Sequence, residues 1–391
     1  MTAWDAIVIG AGPAGSAAAT VLSAAGRRVL LLEKDRFPRA KVCGEFLSGD
    51  GLASIERLGA RAALDTFLPE RIEEGSVYPA RGGAVHFRLP SPALGISRFR
   101  LDDLLANRAR EAGAEARFTC RVVSTAGSPE RGFSVTFVSD GVRETAEARA
   151  LVGAWGRWDA LDRRLDRSFL ERSRFFGWSR DYRGDTSALE GRVRLYLFPG
   201  GYCGLSRVEG GEVNLAGVLS EAERRRIGGG WEDVLERARE GNRALDLALR
   251  PMHPGPRGFL GTVPAVFTAK PPTENGILMA GDAAGVIDPF SGQGQAAALA
   301  TGILAAETVL ALLDGRLEAG RYLAAYAGAW RRRFSRSFAW SAALRRLILG
   351  RTLGRIAGRL AGERLVRFAI RRLWGKTGSS EPGSENGIPI S

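Results

Sequence analysis

The sequence is poor in cysteine and histidine. Cys43, Cys120 and Cys203 are its only cysteines in 391 residues, too few and too scattered for a disulfide framework. No CxxC or Cys/His spacing accompanies them, so neither a zinc nor an iron–sulfur site is expected, and a reducing cytoplasm is the default location. His86 and His253 lie outside every motif, and surface or loop positions are expected for both. Uninterrupted apolar runs of membrane-spanning length are missing, which leaves no good transmembrane helix. Asp5 stands where a secretory signal would carry basic residues, so no signal peptide is expected. With 45% hydrophobic and 25% charged residues, the composition excludes disordered and fibrous classes, and the length suggests two domains.

The net charge of +13 is concentrated in one place. Between residues 331 and 376, 14 basic residues face a single acid, Glu363, while the chain before them is nearly neutral. Arg351, Arg355 and Arg359 recur at helical spacing with Leu353, Ile356 and Leu360 between them. One reading is a basic amphipathic helix that holds the protein peripherally on an anionic membrane surface, on its inner face. The other is a helical cap with a solvated arginine face. Gly350, Gly354, Gly358 and Gly362 recur every four residues, which allows close helix contact at a cost in helix propensity. No aromatic platform accompanies the charge, so no nucleic-acid binding is expected. Residues 377–391, rich in Gly, Ser and Pro, are expected to be disordered.

Two glycine-rich turns carry the chemistry. Residues 6–9 form an apolar strand, Gly10-Ala11-Gly12-Pro13-Ala14-Gly15 a turn, 16–25 a helix, and 29–32 a second strand ending in Glu33-Lys34. In such a βαβ unit the glycines permit the tight turn, the approach of a pyrophosphate to backbone and close helix packing, while Glu33 can accept ribose hydroxyls. Residues 277–280 form another buried strand running into Gly281-Asp282, followed by Pro289 and by Gly292-Gln293-Gly294-Gln295 at the start of a helix over 295–312. A carboxylate at that strand end can hold a flavin's ribityl chain, and the helix N-terminus can face the ring edge where negative charge develops on reduction. Between these turns a helix is expected over 101–112. Short strands are expected at 122–123, 133–137 and 148–152, with Asp140-Gly141 as a hairpin turn, and an antiparallel meander runs from Arg192 to Val218.

These motifs make the chain resemble the FAD-dependent oxidoreductases of the p-hydroxybenzoate hydroxylase-like superfamily, most of all its geranylgeranyl reductase branch, over about residues 4–375. Besides the two turns, the resemblance rests on Lys41-Val42-Cys43-Gly44-Glu45, Arg98-Phe99-Arg100-Leu101-Asp102, Gly153-Ala154-Trp155-Gly156-Arg157 and Phe198-Pro199-Gly200-Gly201-Tyr202. It implies an α/β fold: a discontinuous Rossmann-like FAD-binding domain (1–70, 98–160 and 258–330), an antiparallel-sheet substrate domain (71–97 and 161–257) and basic C-terminal helices (331–376). It also places Arg98 near the FAD, Val122 backbone by the adenine, and Cys43-Gly44 beside the isoalloxazine ring.

The resemblance implies a two-electron reduction of a carbon–carbon double bond in a hydrophobic, isoprenoid or polyketide-like substrate. Oxygen-dependent hydroxylation or epoxidation is the alternative, with halogenation and a non-catalytic FAD scaffold less favoured. Trp155-Gly156 replaces the Asp-Gly of the hydroxylases, and the Trp-x-Trp-x-Ile-Pro segment of the halogenases is missing. Lys34, Lys41, Lys270 and Lys376 are the only lysines. Cys43 is either a proton donor to the substrate or a small packing residue. Tyr202 either orients or protonates the substrate, or packs in the sheet with its hydroxyl at the edge. No second dinucleotide turn is visible, so NAD(P)H docks transiently or a separate reductase supplies electrons.

Overall fold

The computed structural model describes residues 4–157, 159–165, 167 and 174–349. Its first sheet grows from the expected βαβ unit. Strand Trp4–Ile9 pairs in parallel with Val29–Leu32 on one side and with Val142–Gly153 on the other. Ile277–Met279 extends the sheet beyond Val142–Gly153, and Glu115–Arg117 extends it beyond Val29–Leu32. Ala6, Ile7, Val8 and all of Val29–Leu32 are buried, between the helix Pro13–Ala24 and a core that includes Val122, Phe133, Val135 and Phe137, so these parallel strands read as continuous apolar runs. Strands Cys120–Ser128 and Gly132–Ser139 add an antiparallel hairpin to Val142–Gly153, turned at Asp140 and Gly141, both with positive φ.

The helix Pro13–Ala24 lies directly on the helix Gly294–Leu313. A Cβ on Gly302 would come within 2.0 Å of the Ala14 carbonyl oxygen, so small residues let these backbones touch. Gly294–Leu313 is long and apolar enough to cross a membrane, but 72% of its most apolar window is buried in the protein, as in a core helix.

The second sheet has eight strands, in the order Met252–Gly261, Phe175–Gly184, Val213–Ser220, Gly201–Arg207, Arg192–Phe198, Glu70–Tyr78, Val85–Gly95 and Phe46–Leu47. The expected meander is its centre. Because side chains alternate along a strand, Cys203 joins the core beneath the helices Trp231–Gly241 and Arg243–Leu249, while Tyr202 joins the opposite apolar cluster with Val77, Val218, Phe267, Phe290 and Leu344. The structure moves three of the expected domain borders. Phe46–Leu47 pairs with Val85–Gly95 in the second sheet, Met252–Gly261 continues past residue 257, and Leu161 packs in the first core. His86 and His253 lie exposed on strands.

The last described element is the 31-residue helix Ala319–Leu349. Tyr322, Tyr326, Trp330 and Phe334, spaced by four residues, bury against the first core. Ser341 and Leu344 continue inward, while Arg331, Arg332, Arg333, Arg336 and Arg346 remain exposed. The described part of the basic segment is therefore a packed cap with an arginine face. Residues 350–376, with their glycine repeat, and the tail 377–391 lie outside the described residues.

Candidate active site

Both glycine-rich turns open onto one cavity of about 520 Å3 lined by residues of both sheets. Gly10, Gly12, Pro13, Ala14, Glu33, Lys34, Cys43, Gly44, Arg98, Val122, Tyr202, Gly281, Asp282, Pro289, Gly292, Gly294 and Gln295 all line it. Gly15 does not. It packs on the turn itself, where a Cβ would lie 1.7 Å from the Gly10 carbonyl oxygen.

At one end the cavity is polar. Gly10 has φ +100°, and a Cβ there would meet the Ala154 oxygen at 2.5 Å. Gly12, which caps the helix Pro13–Ala24, is different: a Cβ there would meet nothing nearer than Arg98 Nη2 at 3.9 Å, so the space before the helix N-terminus is open to a phosphate. Glu33 is buried and braces this turn, its Oε2 accepting the Ala11 N–H (2.7 Å) and its Oε1 the Asp35 N–H (3.0 Å). Glu33 also lines the cavity, with Arg39 Nη2 3.7 Å from its Oε2.

Around this turn gathers a charge cluster. Fully buried Asp102 accepts Arg98 Nε (2.6 Å) and Nη2 (2.7 Å) and Arg39 Nη1 (2.6 Å). Burial alone would raise the Asp102 carboxyl, but the two guanidiniums outweigh it and hold the group below the usual carboxylate range. Lys41 joins the same rim, and burial, reinforced by Arg39 and Arg98, lowers its ammonium to about 8. Arg39 Nε also lies 3.1 Å from the Asp35 carboxylate, so Arg39, Arg98 and Lys41 face Glu33, Asp35 and Asp102 in balance, and the guanidinium N–H groups at the rim together with the helix N-terminus are what suit a diphosphate. Lys34 is engaged elsewhere, donating to Asp159 across the cavity rim at 2.6 Å.

The second turn is clamped from behind. Gly281 (φ +61°) sits where a Cβ would be 2.9 Å from the Ala14 side chain, and the Asp282 carboxylate lies 3.5 Å from Arg157 Nε. Lys270 Nζ donates to the backbone oxygens of Arg157 (2.7 Å) and Asp282 (2.8 Å), tying two cavity loops together, and burial lowers it to about 8. Trp155 Nε1 donates to Asp162 (3.1 Å), which pairs with buried Arg167, itself donating to the Ala283 oxygen at 2.9 Å. The tryptophan of the middle motif is thus a brace. Neither Lys270 nor Arg167 stood out in the sequence, although a lone lysine in the uncharged stretch 258–273 was a signal.

Cys43 stands where the two turns meet. Gln295 Nε2 approaches its sulfur at 3.4 Å, the Arg98 guanidinium reaches it from the start of the helix Arg98–Glu111, and Asn214 donates to its carbonyl oxygen at 2.8 Å. Glu45 follows with φ +53° and accepts the Arg98 N–H at 3.0 Å, and burial raises its carboxyl to about 7. Tyr202 differs from the substrate-facing expectation. Its ring lines the cavity, but its hydroxyl donates to buried Asp288 (2.6 Å) and accepts the Phe290 N–H (2.9 Å). Burial first, and the Asp288 charge next, raise the phenol well above its ordinary value, and the hydroxyl links Asp288 to the 289–291 turn.

Beyond Cys43 the lining turns apolar, with Val193, Leu195, Val218, Phe267, Val286 and Phe290. Among the described residues no group of His, Cys, Asp and Glu could hold a metal ion. A polar trough with phosphate-binding character therefore runs into an apolar chamber, with a thiol at the junction.

Residues 3–180 match the FAD binding domain family. The chain is 31% identical over 343 residues to menaquinone reductase of Mycobacterium tuberculosis (strain H37Rv), covering 80% of this chain and 77% of that protein. It is 28% identical over 344 residues to digeranylgeranylglycerophospholipid reductase 2 of Methanopyrus kandleri, covering 85% and 83%. Among solved structures, a triple mutant of a flavin-dependent brominase has a TM-score of 0.79 over 95% of each chain, and at 20% identity this likeness shows the fold.

Proposed function

Because the chain belongs to the FAD-dependent oxidoreductases of the p-hydroxybenzoate hydroxylase-like superfamily, in the geranylgeranyl reductase branch, we propose that it reduces a carbon–carbon double bond in the isoprenoid part of a hydrophobic substrate. Two relatives matched along most of their length are named as reductases of a menaquinone and of a digeranylgeranylglycerophospholipid. The observation that carries the reading is the Cys43 thiol, placed where the polar trough meets the apolar chamber.

The residues present fit FAD, because the open face of Gly12 at a helix N-terminus, with the Arg98 guanidinium 3.9 Å from where a Cβ would lie, forms a cradle for a diphosphate. The helix N-terminus at Gly12, with Arg39, Lys41 and Arg98, would hold the diphosphate, Glu33 the adenosine ribose and Asp282 the ribityl chain. Bound FAD supplies two electrons and one of the two hydrogens that such a reduction adds. The other hydrogen arrives as a proton. Cys43 holds one at Sγ, and the negative charge left on sulfur after transfer faces the Gln295 amide and the Arg98 guanidinium. Phe267, Val286 and Phe290 line the chamber with apolar surface that receives an isoprenoid chain and excludes water.

The test is an anaerobic turnover of chemically reduced holoenzyme with polyprenyl quinone and polyprenyl lipid substrates, analysed by mass spectrometry. Products heavier by two hydrogens are expected, and Cys43→Ser should slow that step about tenfold or more without releasing FAD. Product formation only in the presence of oxygen, with a gain of one oxygen atom, would overturn the reductase reading.

A further inference from the structure

The helix Ala319–Leu349 has two faces that the reductase reading leaves unexplained. Its inner face backs the apolar chamber. Ser341 Oγ accepts the Asp288 N–H at 3.0 Å, and Leu344 packs in the cluster that contains the chamber residues Phe267, Val286 and Phe290. Arg345 donates to the Phe267 oxygen at 3.2 Å and lies over the Phe175 and Phe267 rings. Its outer face carries Arg331, Arg332, Arg333, Arg336 and Arg346, all exposed, with Trp340 41% exposed among them. No acid occurs between residues 319 and 349, and none of these five arginines has a carboxylate partner within 4 Å among the described residues. A further eight basic residues against Glu363 follow in sequence before residue 377.

A surface of arginines without carboxylate partners among the described residues, with an exposed indole beside them, matches an anionic bilayer, where cations meet lipid headgroups and a tryptophan seats at the interface. Among the described residues the only helix apolar enough to span a membrane is the buried core helix, so attachment would be at the surface. Resting on the reductase reading for the substrate's apolar nature, we propose that the outer face of this helix docks on an anionic lipid bilayer. The chamber is then one helix diameter, about 10 Å, from the membrane that holds the substrate. The same element thus serves as membrane contact and chamber wall.

The experiment uses full-length holoenzyme and co-sedimentation with vesicles of phosphatidylcholine alone or with one-third phosphatidylglycerol. Binding only to the anionic vesicles is expected, weakening as salt screens the arginines. Each arginine near the surface contributes roughly fivefold in partitioning, so R332Q/R333Q/R336Q/R346Q should bind about a hundredfold or more weakly, and Trp340→Ala a few-fold more weakly. These positions are exposed, so FAD content and thermal unfolding should stay unchanged and report that the variants fold. Turnover of a short, water-soluble alkene analogue without vesicles should also be unchanged. Its absence in the wild type would count against the reductase reading and leave the docking measurement intact. Wild type that ignores anionic vesicles, a quadruple variant that binds them as well as wild type, or tighter binding to duplex nucleic acid than to vesicles at equal salt would each overturn the docking.

Discussion

The two ends of the cavity are built on opposite principles. The polar end is made largely of consecutive residues, Gly10 to Gly15 and Gly281-Asp282, whose backbone conformations admit no side chain at several points. The apolar end is made of single side chains drawn from elements far apart in sequence, such as Leu195, Val218, Phe267 and Phe290. Damage at the first end should therefore appear as lost cofactor, and damage at the second as lost stability or altered substrate choice. The charge cluster around Asp102 is where the two costs meet, because it is both buried and part of the cofactor rim.

The sharpest way to break this contrast is Asp102→Ala, which leaves the buried Arg98 guanidinium without its carboxylate and Arg39 with only Asp35 and Glu33. Removing one partner of such a group costs about 3–5 kcal/mol, so denaturant unfolding should show a loss of that size together with weaker FAD binding. Gly12→Val should separate the two costs. Its side chain would fill the space open to phosphate while touching little protein, so a folded, colourless protein is expected, with FAD affinity lowered about a hundredfold or more. Unchanged flavin absorbance in that variant would mean that the diphosphate lies elsewhere.

Tyr202→Phe probes the opposite end. It removes the hydroxyl between Asp288 and the Phe290 N–H, and a loss of about 1–3 kcal/mol in unfolding free energy with unchanged FAD affinity is expected. A selective loss of turnover at full stability would restore the substrate-facing role.

The smallest effect is a pH dependence of the polar end. Lys41 titrates near 8 without flavin because it is buried beside Arg39 and Arg98, and a phosphate at the same rim would raise it. Below about pH 8 the ammonium is charged in both states and affinity is flat. Above it, FAD binding must take up a proton, so the dissociation constant should climb by up to about tenfold per pH unit until the flavin-bound value is reached. Fluorescence titration should show this rise in the wild type and a flatter profile in Lys41→Met. Identical profiles would remove Lys41 from the diphosphate site.

The polar end was legible in sequence because its geometry is local. Tight turns and a helix N-terminus need particular residues at particular neighbouring positions, so Gly10, Gly12, Glu33, Gly281 and Asp282 could be named before any contact was known. The clamps behind them were not legible. Lys270 reaches Arg157 across 113 positions, and Arg167 reaches Ala283 across 116, with no periodicity that links the partners. Tyr202 shows the limit most clearly. Strand alternation could set the face on which it lies, but only the neighbouring Asp288 decides that its hydroxyl is occupied.

The basic C-terminal segment divides the same way. Its charge and its helical spacing are properties of the sequence, and they set the class of partner it can meet. Which residues turn inward depended on the first core having a surface that Tyr322, Tyr326, Trp330 and Phe334 could cover. Backbone conformation and charge density are short-range properties, so sequence by itself determined the FAD-type turns, the α/β class and the concentration of arginine. Side-chain partnership across two sheets requires the folded core to bring distant residues within 3 Å, so the apolar chamber, the loop clamps and the orientation of the last helix were decided by tertiary structure.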